Sequence, residues 1–155
     1  MRGKKAPRRV IAPDPKYGSV TLAKFTNYLM SDGKKATAQA IVYEAFALVA
    51  ERSSRDPLEI FSNAMKNVSP AMEVRSKRVG GANYQVPFPV RGDRKQSLAF
   101  RWLLGATRAR KGKPMALRLA DELLAASQGD GAAVKKRQDV QRMAESNRAF
   151  AHFAW

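Results

Sequence analysis

Residues 72–90 read MEVRSKRVGGANYQVPFPV, and this stretch decides the fold because the hydrophobic period of the chain changes here. On both sides of it, apolar residues recur at the three-to-four-residue spacing of helices. Within it, residues 72–79 and 82–90 alternate like strands around Gly80-Gly81, a pair that favours a two-residue hairpin turn. The sequence therefore predicts a β-hairpin inserted into an otherwise helical chain.

The second strand of this hairpin has one edge that no further strand can pair with. Pro87 and Pro89 lie two residues apart, so the N–H groups that they lack would both point to the same edge. We therefore expect a two-stranded ribbon, which needs a surface to rest on because a lone ribbon is only marginally stable in water. The first strand carries Arg75, Lys77 and Arg78, which makes a polyanion one candidate for that surface.

Helical segments precede and follow the ribbon. Ser19 can cap the first of them, and Gly33 is expected to end it in a left-handed conformation. Asp56-Pro57 is a strong start signal, because an N-cap acid precedes a proline at the first helical position. The predicted helices run from Ser19 to Gly33, from about Thr37 to Arg52, from Asp56 to Pro70, from about Asp93 onwards, from Pro114 to Gly129 and Gly131, and from about Ala133 onwards.

Apolar residues at helical spacing predict the core. They are Leu22, Phe25, Leu29, Ile41, Val42, Ala45, Phe46, Leu48, Val49, Leu58, Phe61, Met65, Val68, Leu98, Trp102, Leu103, Leu117, Ala120, Leu123, Leu124, Val140, Met143 and Phe150. The predicted fold class is mainly α. It is a single-domain bundle of about six helices over residues 19–155, with a protruding two-stranded β-ribbon at about 72–90 and a basic, extended N-terminal arm at 1–18.

The composition excludes several kinds of chemistry. The 155 residues contain 29 Lys and Arg against 13 Asp and Glu, for a formal net charge of +16, and no cysteine. The absence of cysteine excludes disulfides and thiolate metal sites, and the presence of a single histidine, His152, excludes most imidazole catalysis. The acids, Asp121 and Glu122 among them, are expected on helix surfaces and caps without forming an acid–base couple. We therefore predict no enzymatic activity, no metal and no cofactor.

The positive charge comes in blocks along the chain. Residues 96–118 contain six Lys and Arg and no acid, and Arg94, Arg101 and Arg108 recur at seven-residue intervals, so they share one helix face. A single basic face can simply be solvated, but several of them beside a basic arm favour a nucleic acid as partner. Charge alone leaves DNA and RNA open, and Tyr84 is a candidate to stack on a base.

Several motifs, in this order along the chain, resemble the small-subunit ribosomal protein seven family of bacteria and organelles. They are Pro13-Asp14-Pro15-Lys16-Tyr17, Asp32-Gly33-Lys34-Lys35, Asp56-Pro57, EVRSKRVGGANYQVP at 73–87, LAFRWL at 98–103, GAAVKKR at 131–137 and MAESNRAFAH at 143–152. The resemblance covers essentially the whole chain after the first dozen residues. The fifteen-residue run in the hairpin is too long for chance agreement.

The resemblance implies both a fold and a function. Family members are bundles of about six helices with a protruding β-ribbon. They bind the 3′ major domain of small-subunit ribosomal RNA, nucleate assembly of the head of the subunit, and lie near the exit-site tRNA and the messenger path. Small-subunit ribosomal proteins nine and eleven are the expected neighbours, and no homo-oligomer is expected in the assembled state. The expected location is the cytoplasmic ribosome, with an organellar ribosome as the alternative.

The resemblance also implies which residues contact RNA. The expected RNA-binding residues are Arg2, Lys4, Lys5, Arg8, Arg9, Lys34, Lys35, Arg75, Lys77, Arg78, Asn83, Tyr84, Arg91, Arg94, Lys95, Arg101, Arg108, Arg110, Lys111, Lys113, Lys135, Lys136 and Arg142. The residues expected toward the tRNA and the messenger are Gly80, Gly81, Ala82 and Arg148.

Three other functions compete with this interpretation. A regulator that binds DNA or a messenger as a dimer would carry the same charge, but a high-salt wash would strip it from small ribosomal subunits. A nucleic-acid enzyme is disfavoured because no catalytic cluster is present. Membrane-surface binding by the last helix is disfavoured because its polar residues leave a narrow apolar face. No apolar run is long enough to span a bilayer and no secretory signal is present, so we expect a soluble, reducing compartment.

Overall fold

The computed structural model describes residue 3 and residues 9–154, which contain six α-helices, one antiparallel ribbon and a short 3₁₀ helix. The α-helices are α1 (Val20–Leu29), α2 (Lys35–Ser53), α3 (Pro57–Val68), α4 (Gly92–Ala109), α5 (Met115–Ser127) and α6 (Ala132–Ser146). The strands are β1 (Met72–Val79) and β2 (Ala82–Pro89), and the 3₁₀ helix is Arg148–Phe153. The predicted fold class, a helical bundle with a β-ribbon, is confirmed. The predicted RNA-binding residues Arg2, Lys4, Lys5 and Arg8 lie outside the described residues.

The ribbon forms where the hydrophobic period changes, and its turn has the predicted chemistry. Val79 pairs with Ala82 across the two-residue turn, and the antiparallel register continues to Met72 opposite Pro89. Both turn glycines have positive φ, +58° at Gly80 and +89° at Gly81. Such a turn twists in the same sense as the strands that it joins, and its positive φ angles explain why glycine is favoured at both positions. Within the described residues the sheet has two strands, as the prolines predict.

Two helix starts follow the predicted capping chemistry. The Ser19 hydroxyl accepts a hydrogen bond from the backbone N–H of Leu22 at 3.3 Å, and α1 begins at the next residue. The Asp56 carboxylate accepts from the N–H of Leu58 at 3.1 Å, with Pro57 at the first helical position of α3. Each side chain satisfies a backbone donor that a helix leaves without a partner in its first turn.

The prediction that Gly33 ends the first helix is wrong. Helix α1 ends at Leu29, and Met30 leaves the helical conformation with φ −56° and ψ 137°. The carbonyl of Leu29 accepts a hydrogen bond from the Arg108 guanidinium at 3.2 Å, so a side chain of α4 satisfies this helix end. Asp32 and Gly33 are both left-handed, at +54° and +72°, and form the turn into α2 instead.

Helix α5 lies at the centre of the bundle, where it packs against α2, α3, α4 and α6. Its buried face includes Ala116, Ala120 and Ala126, whose small side chains allow the neighbouring helices to approach closely. In the same core, four phenylalanines pack edge to face or tilted at centroid distances of 5.3–5.8 Å. They are Phe25, Phe46, Phe61 and Phe100. Edge-on packing of this kind adds to the hydrophobic stabilisation from their burial.

Most of the predicted core is buried, and the exceptions lie at its margin. The predicted residues that are half-buried are Ile41, Leu48, Leu58, Trp102, Leu117, Leu124, Val140 and Phe150. Met143 was predicted to face the core, but 49% of it is exposed. The side of α6 that packs on the bundle carries Ala133, Val134 and Ala144 instead, so its apolar face is narrower than the sequence suggests. Among the described residues, no helix combines the length and apolar character needed to cross a membrane.

The last helix is shorter than predicted, because the chain tightens into a 3₁₀ helix after Asn147. The near-threefold repeat of a 3₁₀ helix brings Phe150 and Phe153 to the same side. Both rings contact Tyr84 of β2, at centroid distances of 5.1 and 5.3 Å. The Lys77 ammonium of β1 also donates to the Phe153 carbonyl at 3.0 Å. The ribbon therefore rests on its own C-terminal segment.

A substitution in the phenylalanine layer tests the importance of this core. Phe100 is buried and contacts both Phe25 and Tyr28. We expect Phe100→Ala to lower the free energy of unfolding by about 3–5 kcal/mol, because it removes buried surface and leaves a cavity. Urea denaturation followed by circular dichroism measures this. The control Met143→Ala, at an exposed site, should change the value by less than about 0.5 kcal/mol; equal losses in the two variants would contradict the described packing.

Candidate nucleic-acid interface

A buried carboxylate at the base of the ribbon holds two arginines. Glu73 accepts from Arg75 Nε at 2.7 Å, and from Arg75 Nη2, through Oε1. It accepts from Arg94 Nε at 3.1 Å through Oε2. Glu73 and Arg75 both belong to β1 and Arg94 belongs to α4, so the ion pair with Arg94 fastens the ribbon to the helical body. The two arginine side chains remain 56% and 42% exposed.

The electrostatics of Glu73 follow from these contacts. Burial alone would raise the pKa of this carboxyl group, but the hydrogen bonds from Arg75 and Arg94, with their positive charges, outweigh it. The pKa of Glu73 is therefore held below its ordinary value, and the group is ionised at neutral pH. The net charge of the three side chains is therefore +1. Since each guanidinium has five N–H donors, both keep donors that Glu73 does not use.

Helix α4 extends this positive charge along the body. Arg94, Arg101 and Arg108 share one face, as predicted, since seven residues make nearly two turns. Arg94 and Arg108 are about 21 Å apart along the helix axis, at 1.5 Å per residue. All three side chains are exposed, although Arg94 and Arg108 each have a partner within the protein.

At the far end of α4, a cleft of about 300 Å³ lies beside the start of α2. Lys34, Arg108 and Arg118 are at its polar rim, and its remaining lining is mostly apolar. Lys35, the first residue of α2, is exposed next to it. No acidic residue lies in the first turn of α2, so the positive end of the helix dipole adds to these cations. Arg118 was not among the predicted site residues, and its position in the cleft is a result of folding that no local pattern shows.

The loop after α4 is anchored by acids of α5. Arg110 donates to Glu122 Oε2 from Nε at 3.1 Å and from Nη2 at 2.6 Å. Glu122 is fully buried, so its predicted place on a helix surface is wrong; its Oε1 accepts from the backbone N–H of Ala133 at 2.9 Å. Lys113 lies 3.4 Å from the carboxylate of Asp121.

Asp121 is partly buried and is also paired with Arg52 at 2.5 Å. Burial alone would raise the pKa of its carboxyl group. The hydrogen bonds from Arg52 and Lys113 outweigh this effect and hold the pKa below its ordinary value. Asp121 therefore forms part of a charged network.

The remaining predicted cations lie on exposed surfaces. Those without an ion pair to a described residue are Arg9, Lys34, Lys35, Arg78, Arg91, Lys95, Arg101, Lys111, Lys135, Lys136 and Arg148. Arg142 is 4.0 Å from Asp139, and both side chains are largely exposed, so this pair contributes little. Asn83 and the residues of the turn, Gly80, Gly81 and Ala82, are exposed at the end of the ribbon.

Tyr84 has a structural role that the sequence did not reveal. Its ring is half-buried between the ribbon and the 3₁₀ helix, where it contacts Phe150 and Phe153. A base that stacks on Tyr84 would have to share the ring with these two phenylalanines. The contact of Tyr84 with RNA stays a prediction.

The structure brings some predicted residues together and separates others. Arg75 and Arg94 meet at Glu73, and Lys34 and Arg108 meet at the cleft. The cations of α6 lie on a different helix from both groups. Among the described residues, no group of three or more His, Asp or Glu side chains is arranged to hold a metal ion.

The fold and this surface define a class of protein: a basic helical body with a braced β-ribbon and arginines held in place by buried acids. Comparisons with known proteins identify the family of this chain. The family model for ribosomal protein S7p/S5e matches residues 1–148. The chain therefore belongs to the ribosomal protein S7p/S5e family, whose members are structural proteins of the small ribosomal subunit and not enzymes.

Individual relatives match over nearly their full length. The small ribosomal subunit protein uS7 of Pseudothermotoga lettingae is 57% identical over 155 residues, which is 100% of both chains. The uS7 of Xanthobacter autotrophicus is 56% identical over 154 residues, 99% of both chains. The uS7 of Cellvibrio japonicus is 58% identical over 151 residues, 94% of this chain and 97% of the relative. These matches confirm the family resemblance and the prediction that the protein is not an enzyme.

The buried carboxylate of α5 offers a test of the anchoring geometry. We expect Glu122→Gln to lower the free energy of unfolding by about 1–3 kcal/mol, because the amide places N–H donors against the Arg110 guanidinium and leaves donors without acceptors. Thermal and urea denaturation measure the change. The control Glu44→Gln removes the same charge from an exposed position on α2 and should have little effect. Equal stability of the two variants would show that Glu122 does not anchor the loop.

Proposed function

We propose that this protein binds the 3′ major domain of small-subunit ribosomal RNA and nucleates assembly of the head of the subunit. In the assembled ribosome it lies near the exit-site tRNA and the messenger path, beside small-subunit ribosomal proteins nine and eleven. Membership of the family supports a ribosomal RNA as the polyanion. The matching relatives are bacterial, which supports the cytoplasmic ribosome over an organellar one.

One observation carries the RNA-binding proposal: the cations of distant sequence segments join into a strip on the folded protein. We call this the basic strip, and it consists of Arg75, Arg94, Arg101, Arg108, Lys34 and Lys35. Glu73 connects its ribbon end to α4, and the shared cleft connects the other end of α4 to α2. The strip spans about 21 Å along α4 alone, which is long enough for several consecutive phosphates.

The structure suggests how such a strip binds a folded RNA. The helical core fixes the distances between its arginines, so the protein recognises an arrangement of phosphates in space rather than a sequence of bases. Arginines held by carboxylates supply directed pairs of N–H donors, while exposed lysines supply charge without a fixed direction. No bond is made or broken, since the protein acts as a scaffold.

The ribbon tip and the C-terminal helix are the parts proposed to face the tRNA and the messenger. Gly80, Gly81 and Ala82 have no large side chain, so an RNA backbone can approach the turn closely. Arg148 is exposed at the start of the 3₁₀ helix on which the ribbon rests. The two regions are linked by the contact between Tyr84 and Phe150.

A salt titration tests the RNA-binding proposal. If on the order of six to ten phosphates are engaged, affinity for a transcript of the 3′ major domain should fall at least about a thousandfold between 50 and 200 mM salt. Filter binding measures this, with an unrelated transcript of equal length as the control for specificity. A nearly flat salt dependence would overturn the proposal. Absence of the protein from small subunits isolated at low salt would favour the transient regulator instead.

The α2 end of the basic strip can be tested separately. We expect the double substitution Lys34→Ala and Lys35→Ala to weaken RNA binding and to reduce the slope of log affinity against log salt by about one to two. Both side chains are exposed, so the melting temperature should stay near that of the parent protein. Arg55→Ala is the control for loss of a cation outside the strip, because Arg55 is exposed just beyond the opposite end of α2. It removes one charge against two, so a loss of log affinity in the control of half that in the double variant would show that net charge, not the strip, determines binding.

A further inference from the structure

We propose that Glu73 is a positioning residue for RNA binding: its buried carboxylate holds Arg75 and Arg94 in the orientation in which they meet phosphates. This inference rests on the proposed function and deepens it. It assigns an acidic residue to a surface that binds a polyanion, where charge alone would make an acid unfavourable.

The buried carboxylate of Glu73 uses both of its oxygens to hold arginines. Both carboxylate oxygens are used, Oε1 by Arg75 and Oε2 by Arg94, and the residue itself is buried. Its two partners come from different elements, the ribbon and α4, and lie 19 positions apart in the chain. A carboxylate that accepted from only one of them would leave the orientation of the other undetermined. Glu73 instead fixes both guanidinium groups relative to each other.

Arg75 is held by a second contact as well. Its guanidinium lies over the ring of Phe88, 5.3 Å from the centroid. Phe88 is directly opposite Glu73 in the ribbon register, so the ring and the carboxylate lie side by side on one face of the ribbon and contact the same planar group. A planar fork binds a phosphate with two hydrogen bonds only when it is correctly oriented. The arrangement supplies that orientation before RNA arrives.

Holding the arginines in place before RNA binds lowers the conformational entropy that is lost on binding. A free arginine must lose most of its side-chain conformational freedom when it binds a phosphate, whereas one that is already held loses less. The same carboxylate also offsets the repulsion between two neighbouring cations. Glu73 also places one negative charge near the RNA, which repels it. The proposal requires that the affinity gained from pre-oriented arginines exceeds the affinity lost through this repulsion.

The negative charge of Glu73 should weaken RNA binding, whereas its hold on the two arginines should strengthen it. Removing the charge therefore distinguishes the two effects by the direction in which the affinity changes. If long-range charge dominates, Glu73→Gln will bind a transcript of the 3′ major domain more tightly and with a steeper salt dependence. If Glu73 positions the arginines, the same variant will bind about tenfold more weakly. Glu44→Gln is the matched control, since it removes an exposed acid of α2; its affinity should be equal to or slightly higher than that of the parent. Filter binding at fixed salt measures all three proteins.

A second background separates positioning from folding. In a protein that carries Arg75→Gln and Arg94→Gln, the further change Glu73→Gln should cause no additional loss of affinity, because the groups that it positions are gone. Circular dichroism melting checks that each variant is folded at the assay temperature. An additional loss in this background would overturn the positioning role, as would equal or tighter binding by Glu73→Gln alone.

These outcomes are distinguishable from failure of the proposed function. Unchanged affinity in the Arg75→Gln, Arg94→Gln protein would remove the ribbon base from the RNA interface and overturn the role of Glu73, while RNA binding itself persists. A parent protein that binds the transcript no better than an unrelated RNA would overturn the proposed function as a whole.

Discussion

The hydrogen-bonded carboxylate of Glu122 is the constraint on which the packing of the helical body depends, because it joins two other segments to the central helix. It lies on α5 and accepts from Arg110, which follows α4, and from the N–H of Ala133 at the start of α6. A buried charge is tolerated only where it is paired and hydrogen-bonded, so both segments must close over α5 for the fold to be stable. Gly131 belongs to the same constraint: its φ is +98°, and an added Cβ would lie 2.9 Å from Glu122 Oε1.

Pairing with buried carboxylates also determines the arrangement of cations on the surface. Arg75, Arg94 and Arg110 each bind a buried carboxylate, whereas Lys34 and Lys35 have no ion pair with a described residue. Arginine suits the first role because its planar group can bind a carboxylate on one side and keep donors for a phosphate on another. Lysine suits the second because a mobile point charge contributes to counterion release without a defined geometry. In a chain with a net charge of +16, the few acids thus determine where the directed cations are.

Signals that act within a few residues were sufficient to predict most elements. Asp56-Pro57 and the two-glycine turn act through hydrogen bonds and backbone angles of adjacent residues, and both elements form as predicted. The end of α1 depends on Arg108, 79 positions away from Leu29, and no local pattern reveals that contact. The burial of Glu122 is a similar case. For the candidate site, the sequence predicted the cations and their spacing on α4, but it could not predict which of them a carboxylate holds.

The ribbon shows why contacts between residues far apart in the chain matter for function. The sequence suggested that a marginal ribbon needs a surface to rest on and offered a polyanion as a candidate. Within the described residues it is already supported by the protein, through the Glu73 contact with Arg94 at its base, the packing of β1 against α6, and the contacts of Lys77 and Tyr84 with the 3₁₀ helix further along. Only the turn and its nearest residues project beyond these supports. The ribbon is therefore ordered by contacts within the protein itself, so a partner that bound it would not have to order it first.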